Sequence, residues 1–96
     1  MEKNAKVVII GGGVVGCSIL YHLSKFGLKD CILLERNELT SGSSWHAAGN
    51  VHVISSDPNI SRMMAYTIGL YKEIEKESGH STGFKPSGGF YLASNE

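Results

Sequence analysis

The sequence predicts an α/β fold that begins with a strand–helix–strand (βαβ) unit. Two short apolar runs, at residues 6–10 and 31–34, are typical of parallel strands that are buried on both faces. Glycines follow the first run, and apolar residues then repeat at helical spacing before the second run. Because such a sheet needs further strands and covering helices, we expect residues 1–96 to form an incomplete domain.

The elements of the βαβ unit follow in order. The first strand is predicted at residues 6–10, and a helix is predicted from Val14 onward. The helix has an apolar face formed by Val15, Ile19, Leu23 and Phe26. Gly27 is placed to end it as a left-handed cap, and residues 31–34 form the second strand. A right-handed crossover is expected for such a unit.

The second half of the chain starts with a long polar connection at residues 37–56, which is rich in Ser, Gly, Ala and Asn. Connections of this length in a compact domain are usually functional. Asp57 and Pro58 then predict a helix start, and Gly79 predicts its end. Its apolar face would comprise Ile60, Met64, Thr67, Tyr71 and Ile74. A last strand is predicted at residues 90–93.

Composition restricts the partners. Nine basic and nine acidic residues balance, which argues against nucleic acid or an anionic membrane surface as the partner. No apolar run is long enough to span a bilayer, and no leader precedes the first strand, so we expect a cytoplasmic protein. If a transit peptide has been removed, the mitochondrial matrix is the alternative. Two cysteines and four histidines at unrelated spacings predict neither a disulfide framework nor a metal site.

The glycine cluster carries the first functional signal. Gly11, Gly13 and Gly16 fit the pattern G-x-G-x-x-G, with Val14 and Val15 between them, directly after a strand and at the start of a helix. Gly11 permits the tight turn, Gly13 lets a pyrophosphate approach the backbone, and Gly16 lets the helix lie against the strand. The first N–H groups of the helix, at Val14 and Val15, would then face the phosphates.

An acidic residue completes this pattern. Glu35 ends the second strand, where its carboxylate can accept hydrogen bonds from both ribose hydroxyls of an adenine dinucleotide. A carboxylate there disfavours the 2′-phosphate of NADP, although the neighbouring Arg36 weakens that argument and is itself a candidate cofactor contact. The glycine turn alone leaves FAD and NAD open, because both contain ADP.

A family resemblance bears on that choice. Residues 7–35 resemble the FAD-binding signature of the glutathione-reductase type, with Leu23, Gly27 and Glu35 at its later positions. Residues 35–49, which read ERNELTSGSSWHAAG, resemble the region after the second strand in dimethylglycine and sarcosine dehydrogenases, which belong to the D-amino-acid-oxidase-like flavoproteins. Residues 71–79 and 83–93 are similar too, so the resemblance covers nearly the whole chain.

The resemblance implies a Rossmann-like FAD-binding domain of the glutathione-reductase type, with FAD as the cofactor. In that family the histidine that corresponds to His46 forms a covalent bond to the flavin ring. The polar loop before it contacts the diphosphate, and the corresponding hydroxyl residues here are Thr40, Ser41, Ser43 and Ser44. Ala47, directly after His46, is a further candidate contact to the cofactor. From the residues alone, His46 is a loop histidine that forms local hydrogen bonds.

The resemblance also implies a reaction. The complete protein would oxidise the C–N bond of a secondary or tertiary amine and transfer a hydride to the flavin. Catalytic residues and the amine-binding domain would lie outside residues 1–96, and the resemblance does not name the electron acceptor. Two alternatives remain: an NAD-dependent dehydrogenase and a non-catalytic regulatory subunit of flavoprotein-like fold, because fold alone does not establish activity.

Overall fold

The computed structural model of the chain describes residues 4–94. Its elements are β1 (Val7–Ile10), α1 (Val14–Lys25), β2 (Cys31–Leu34) and α2 (Pro58–Ser78). The chain divides into two compact units, residues 1–48 and residues 49–96. The first unit contains β1, α1 and β2, and the second contains α2.

The first unit is the predicted βαβ unit. β1 and β2 pair in parallel, with Val7 opposite Cys31 and Ile10 opposite Leu34. The α1 helix connects the two strands and packs against both of them. The α/β fold class is therefore confirmed, and the carboxyl ends of both strands lie at the edge where the glycine turn begins.

Burial in this unit differs from the expectation. Ile9 is buried, but Ile10 is 87% exposed and Val8 and Leu34 are about half exposed, so the prediction of two-sided burial is wrong within residues 4–94. The reason is that α1 covers one face of a two-stranded sheet, while alternate strand residues point to the other face.

The predicted apolar face of α1 is only partly confirmed. Leu23 is half-buried as predicted, but Val15, Ile19 and Phe26 are exposed, and buried Gly16 and half-buried Leu20 lie beside Leu23 in their place. A Cβ atom on Gly16 would collide with the Gly11 carbonyl oxygen, so this contact fixes the rotation of the helix. Positions 16, 20 and 23 have the spacing of one helical face.

Both predicted glycine helix ends are present. After α1, Gly27 has φ +90° and donates its N–H to the Ser24 carbonyl, while the Leu28 N–H donates to the Leu23 carbonyl. This bond pattern is a Schellman motif, which requires a left-handed residue. After α2, Gly79 has φ +70° and donates its N–H to the Glu75 carbonyl.

The second unit is organised around α2. Asp57 precedes the helix and Pro58 occupies its first turn, as predicted. Of the predicted apolar face, Ile60 is exposed. The other four residues of that face are half-buried, namely Met64, Thr67, Tyr71 and Ile74. Glu75, in the last turn of α2, holds the segment that follows the helix: its carboxylate accepts hydrogen bonds of 2.8 Å from both the N–H and the hydroxyl of Thr82. The Tyr71 and Phe84 rings stack with centroids 5.7 Å apart.

The prediction of a strand at residues 90–93 is wrong. These residues have no regular secondary structure, and Phe90 and Leu92 are almost fully exposed. A strand is defined by hydrogen bonds to a neighbour, and the described residues pair only β1 with β2. Over residues 4–94, no helix combines the length and apolar character needed to cross a bilayer.

Candidate functional site

The site begins with the turn that follows β1. Gly11 has φ +105°, a conformation that side chains disfavour, and its N–H donates to the Leu34 carbonyl at 2.8 Å. This bond extends the parallel pairing by one residue and ties the turn to the end of β2. The turn predicted at Gly11 therefore starts where both strands end.

Close packing around the turn leaves no space for side chains at two further glycines. A Cβ on Gly16 would collide with the Gly11 carbonyl oxygen, and a Cβ on Gly12 would lie 2.6 Å from Leu39 Cδ2 and 3.1 Å from Glu35 Cβ. Sequence reasoning assigned no separate role to Gly12, although its place between two functional glycines was the available signal. Gly12 is the point at which the turn, β2 and the following loop meet.

The N-terminus of α1 has no cap from its own segment. Gly13 is the N-cap residue and has no side chain with which to cap the helix, and the first turn contains no acidic residue. The Val14 N–H instead donates to Ser44 Oγ at 2.9 Å, and a Cβ on Gly13 would lie 3.0 Å from that oxygen. Since a hydroxyl can accept and donate at once, the Ser44 O–H remains able to donate to another group. The side chains of Val14 and Val15 point to solvent.

Glu35 lies at the end of β2, where the sequence predicted it. Its Oε1 accepts from the Asn37 N–H at 2.9 Å, and its Oε2 accepts from the Gly12 N–H at 2.8 Å. The two hydrogen bonds lower the pKa of the Glu35 carboxyl below its ordinary value, and the bond from Asn37 has the larger effect. The positive charge of Arg36 lowers this pKa by a smaller amount. Glu35 is therefore ionised at neutral pH and held in place, while Arg36 beside it is exposed.

The loop after β2 returns to the glycine turn at Thr40. The Thr40 N–H donates to the Gly12 carbonyl at 2.9 Å, and Thr40 has φ +63°, which is unusual for a β-branched residue. Backbone strain of this kind tends to occur at functional sites. The Ser41 N–H donates to the Glu38 carbonyl at 3.3 Å, and Ser41 is exposed.

The next residues form a short turn that carries His46. The His46 N–H donates to the Ser43 carbonyl at 3.2 Å, and the Ala47 N–H donates to the Ser44 carbonyl at 3.5 Å. His46 Nδ1 lies 3.0 Å from the Gly42 carbonyl oxygen. Because a carbonyl only accepts, this bond requires the proton on Nδ1, which leaves the lone pair of a neutral ring on Nε2.

The structure thus brings part of the predicted set into direct contact. Hydrogen bonds connect the glycine turn to Glu35, Thr40 and Ser44. The other predicted residues lie exposed on the same loop: Arg36, Ser41, Ser43, His46 and Ala47. Sequence reasoning did not predict the roles of Gly12 and Asn37 as backbone donors to Glu35, because donation by a main-chain N–H leaves no signature in residue type.

Comparisons with known proteins agree with this geometry. Residues 6–96 match the family described as FAD dependent oxidoreductase. Human mitochondrial dimethylglycine dehydrogenase is 47% identical over 92 residues, which are 96% of this chain and 11% of that protein. Human mitochondrial sarcosine dehydrogenase is 42% identical over 96 residues, which are 99% of this chain and 10% of that protein.

A third relative has a different kind of name. The mitochondrial pyruvate dehydrogenase phosphatase regulatory subunit of Mus musculus is 39% identical over 96 residues, which are 100% of this chain and 11% of that protein. The chain therefore spans about a tenth of the length of the curated relatives it matches. The resemblance to the dimethylglycine and sarcosine dehydrogenase group is confirmed, and the chain belongs to the family of FAD-dependent oxidoreductases, whose cofactor is FAD.

Proposed function

We propose that residues 1–96 form the N-terminal part of a flavoprotein domain and bind the ADP half of FAD in an amine oxidoreductase. The observation that carries this proposal is the N-terminus of α1, which has no acidic cap of its own and faces a hydroxyl-rich loop. A helix start of this kind favours a diphosphate through its N–H groups and its dipole. Family membership makes FAD the group to test against it.

The residues present fit a diphosphate. Gly13 has no side chain between the helix start and Ser44, and its extended backbone imposes no strain. The Val14 N–H is taken by Ser44 Oγ, so the N–H of Val15 and the free proton of the Ser44 hydroxyl would donate to phosphate oxygens beside Val14. Thr40, Ser41 and Ser43 lie on the same loop and would add further donors, with Gly11 and Gly16 fixing the turn beneath them.

The residues at the end of β2 also fit the ribose of the ADP half. Two backbone N–H groups hold the Glu35 carboxylate in its ionised form, and each oxygen keeps a further lone pair. These lone pairs would accept the hydrogen bonds of vicinal ribose hydroxyls. Arg36 would contribute its charge beside them. The NAD-dependent alternative is not retained, because the matched family uses FAD.

His46 would anchor the flavin covalently. The bond from Nδ1 to the Gly42 carbonyl leaves Nε2 as the nitrogen with an available lone pair, and His46 is exposed. Neighbouring Ala47 has a small side chain, which leaves space for a planar ring. The cofactor, when bound, would supply the site that accepts a hydride. His46 would act as an anchor and not as an acid or base.

The substrate of the complete protein would be a secondary or tertiary amine with an oxidisable carbon next to nitrogen. The names of the dimethylglycine and sarcosine dehydrogenases support this substrate class. Catalytic residues, the amine pocket and the electron acceptor would come from outside residues 1–96. Both names also include the word mitochondrial, which supports the mitochondrial alternative over the cytoplasm.

The test uses the complete protein that carries these residues. We expect it to purify with flavin absorbance that stays with the pellet after acid precipitation, and dimethylglycine or sarcosine to bleach that absorbance without oxygen. His46→Ala should release the flavin to the supernatant while retaining non-covalent binding. Release of flavin from the unsubstituted protein would contradict the covalent bond, and a protein that binds no flavin would contradict the whole proposal.

A second candidate is a non-catalytic regulatory subunit. The observation that favours it is the 39% identity to a protein named as a phosphatase regulatory subunit. FAD binding that persists while no secondary or tertiary amine bleaches the flavin would favour this candidate over the oxidoreductase.

A further inference from the structure

The imidazole of His46 has two contacts that have different physical consequences. Its Nδ1 lies 3.0 Å from the Gly42 carbonyl oxygen, and the Trp45 ring lies beside it with centroids 4.2 Å apart and planes inclined by 45°. The hydrogen bond fixes which nitrogen carries the proton. It leaves the ring free to tilt about the line that joins Nδ1 to the carbonyl, because hydrogen bonds at a carbonyl oxygen have a broad angular distribution.

The Trp45 contact restricts that tilt. Two adjacent aromatic rings in van der Waals contact limit each other's rotation, and such pairs contribute beyond the area that they bury. Trp45 is 68% exposed, so its ring does not serve as a filler of the first unit's core. Because this exposed ring lies against the proposed attachment residue, we look for its role in that contact.

We propose that Trp45 is the positioning residue for flavin attachment: its ring orients the His46 imidazole so that Nε2 faces the reacting carbon. This inference rests on the proposed attachment of FAD at His46. The His46 backbone is already fixed by its N–H bond to the Ser43 carbonyl, so the remaining freedom lies in the side chain. Restricting a nucleophile to a reactive orientation accelerates bond formation.

The attachment step balances with dioxygen as the oxidant. His46 Nε2 forms a bond to a ring methyl carbon of the flavin, and one C–H bond of that methyl breaks. The two electrons of that bond would be taken up by dioxygen. The methyl proton and one proton from solvent would accompany them, so one hydrogen peroxide would form for each bond made, while Nδ1 would keep the proton that it donates to the Gly42 carbonyl.

Trp45 affects this step through orientation and has no role in holding the ADP half. The proposed contacts to the diphosphate and the ribose depend on the glycine turn, Glu35 and Ser44. Ser44 is held in place by its hydrogen bond from the Val14 N–H. Loss of the Trp45 ring should therefore slow attachment without weakening the first, reversible binding of FAD.

The experiment measures both quantities in the complete protein, prepared without flavin and mixed with FAD in air. Reversible binding is measured by the quenching of flavin fluorescence in the first seconds, and attachment is measured as flavin retained in acid precipitates over time. We expect Trp45→Ala to slow attachment about tenfold at unchanged FAD affinity, as for loss of one aromatic contact. Trp45→Phe should restore most of the rate, because it keeps a ring beside His46.

Phe26→Ala is the matched control. It removes another exposed aromatic ring, 81% exposed and located at the end of α1 and not beside His46, so attachment should proceed at the unsubstituted rate. Equal attachment rates for Trp45→Ala and the unsubstituted protein would overturn the inference while leaving the proposed function intact. A parallel loss of FAD affinity in Trp45→Ala would also overturn it. Absence of attachment in an unsubstituted protein that still binds FAD would overturn this inference and the covalent bond at His46, but not the proposed binding of the ADP half.

Discussion

The two helices of this chain begin in opposite ways. At α2, the Asp57 carboxylate accepts hydrogen bonds from the N–H groups of Asn59 and Ile60, at 2.7 and 3.3 Å, and Pro58 occupies the first turn. At α1, Gly13 offers no side chain, and Ser44 accepts from the Val14 N–H across 30 residues of sequence. One start is closed by its own segment, and the other is open to groups from elsewhere.

This difference separates a structural helix start from a binding one. A carboxylate cap satisfies the free N–H groups and neutralises the positive end of the helix dipole, which leaves nothing for an anionic ligand. A neutral serine hydroxyl satisfies one N–H and leaves the dipole uncompensated. The start of α1 therefore lacks the stabilisation that a local carboxylate cap would provide. A bound diphosphate would provide that stabilisation instead.

The largest expected effect comes from giving α1 the kind of cap that α2 has. Gly13 has extended backbone angles that any residue adopts, so Gly13→Asp is possible without backbone strain. We expect FAD affinity to fall by at least about a hundredfold, since hydrogen bonds to charged groups contribute about 1.5–3 kcal/mol each and 1.4 kcal/mol is a factor of ten. Titration calorimetry of the flavin-free complete protein with FAD measures it.

Two controls separate charge from volume and from helix stability. Gly13→Asn adds nearly the same volume without the charge and should cost less affinity than Gly13→Asp. Asp57→Ala should lower the free energy of unfolding by about 1 kcal/mol through loss of the cap and leave FAD affinity unchanged. If Gly13→Asp and Asp57→Ala had equal affinity for FAD, the distinction between the two helix starts would be wrong.

Two glycines inside the helices sharpen the same comparison. A Cβ on Gly16 of α1 would collide with the Gly11 carbonyl oxygen, whereas a Cβ on Gly69 of α2 would meet nothing within 4 Å. Gly16→Ala should destabilise the protein by about 1–3 kcal/mol, because a main-chain atom must move. Gly69→Ala should stabilise it by about 0.5–1 kcal/mol, because alanine loses less backbone entropy. The midpoint of urea unfolding measures both, and effects of the same sign would contradict the assigned packing.

The features that could be predicted from sequence are those set by a few neighbouring residues. The Gly27 and Gly79 helix ends and the Asp57 cap depend on local backbone chemistry, and each is present. The failures depend on distant partners. The exposed face of α1 is set by the contact of Gly16 with the turn, and residues 90–93 form no strand because the described residues give them no pairing partner.

The candidate site divides along the same line. Glycine spacing and an acid after β2 are local patterns, so the sequence indicated the turn and Glu35. The bond between Val14 and Ser44, and the N–H donors of Gly12 and Asn37, arise from how the loop folds back onto the turn. A pattern of residue types does not specify such main-chain contacts, which is why they appear only in the structure.

The smallest expected effect compares two carboxylates that hold loops in similar ways. Backbone donors lower the pKa of Glu35 at the glycine turn, mainly Asn37 and then Gly12, and Thr82 lowers the pKa of Glu75 after α2. Because each pKa is lowered in the folded chain, each group stabilises the fold at neutral pH. That contribution disappears as the pH falls through the lowered pKa, below the ordinary range of a glutamate.

Glu35→Gln and Glu75→Gln should therefore each reduce the loss of stability in acid, because the substituted side chain no longer takes up a proton. Only Glu35→Gln should also weaken FAD binding, by about tenfold, because an amide N–H₂ replaces one oxygen that would accept from ribose. Urea unfolding from neutral to acidic pH and FAD titration at neutral pH measure the two effects. A loss of FAD affinity in Glu75→Gln equal to that in Glu35→Gln would mean that loop anchoring in general, and not ribose recognition at the end of β2, determines binding.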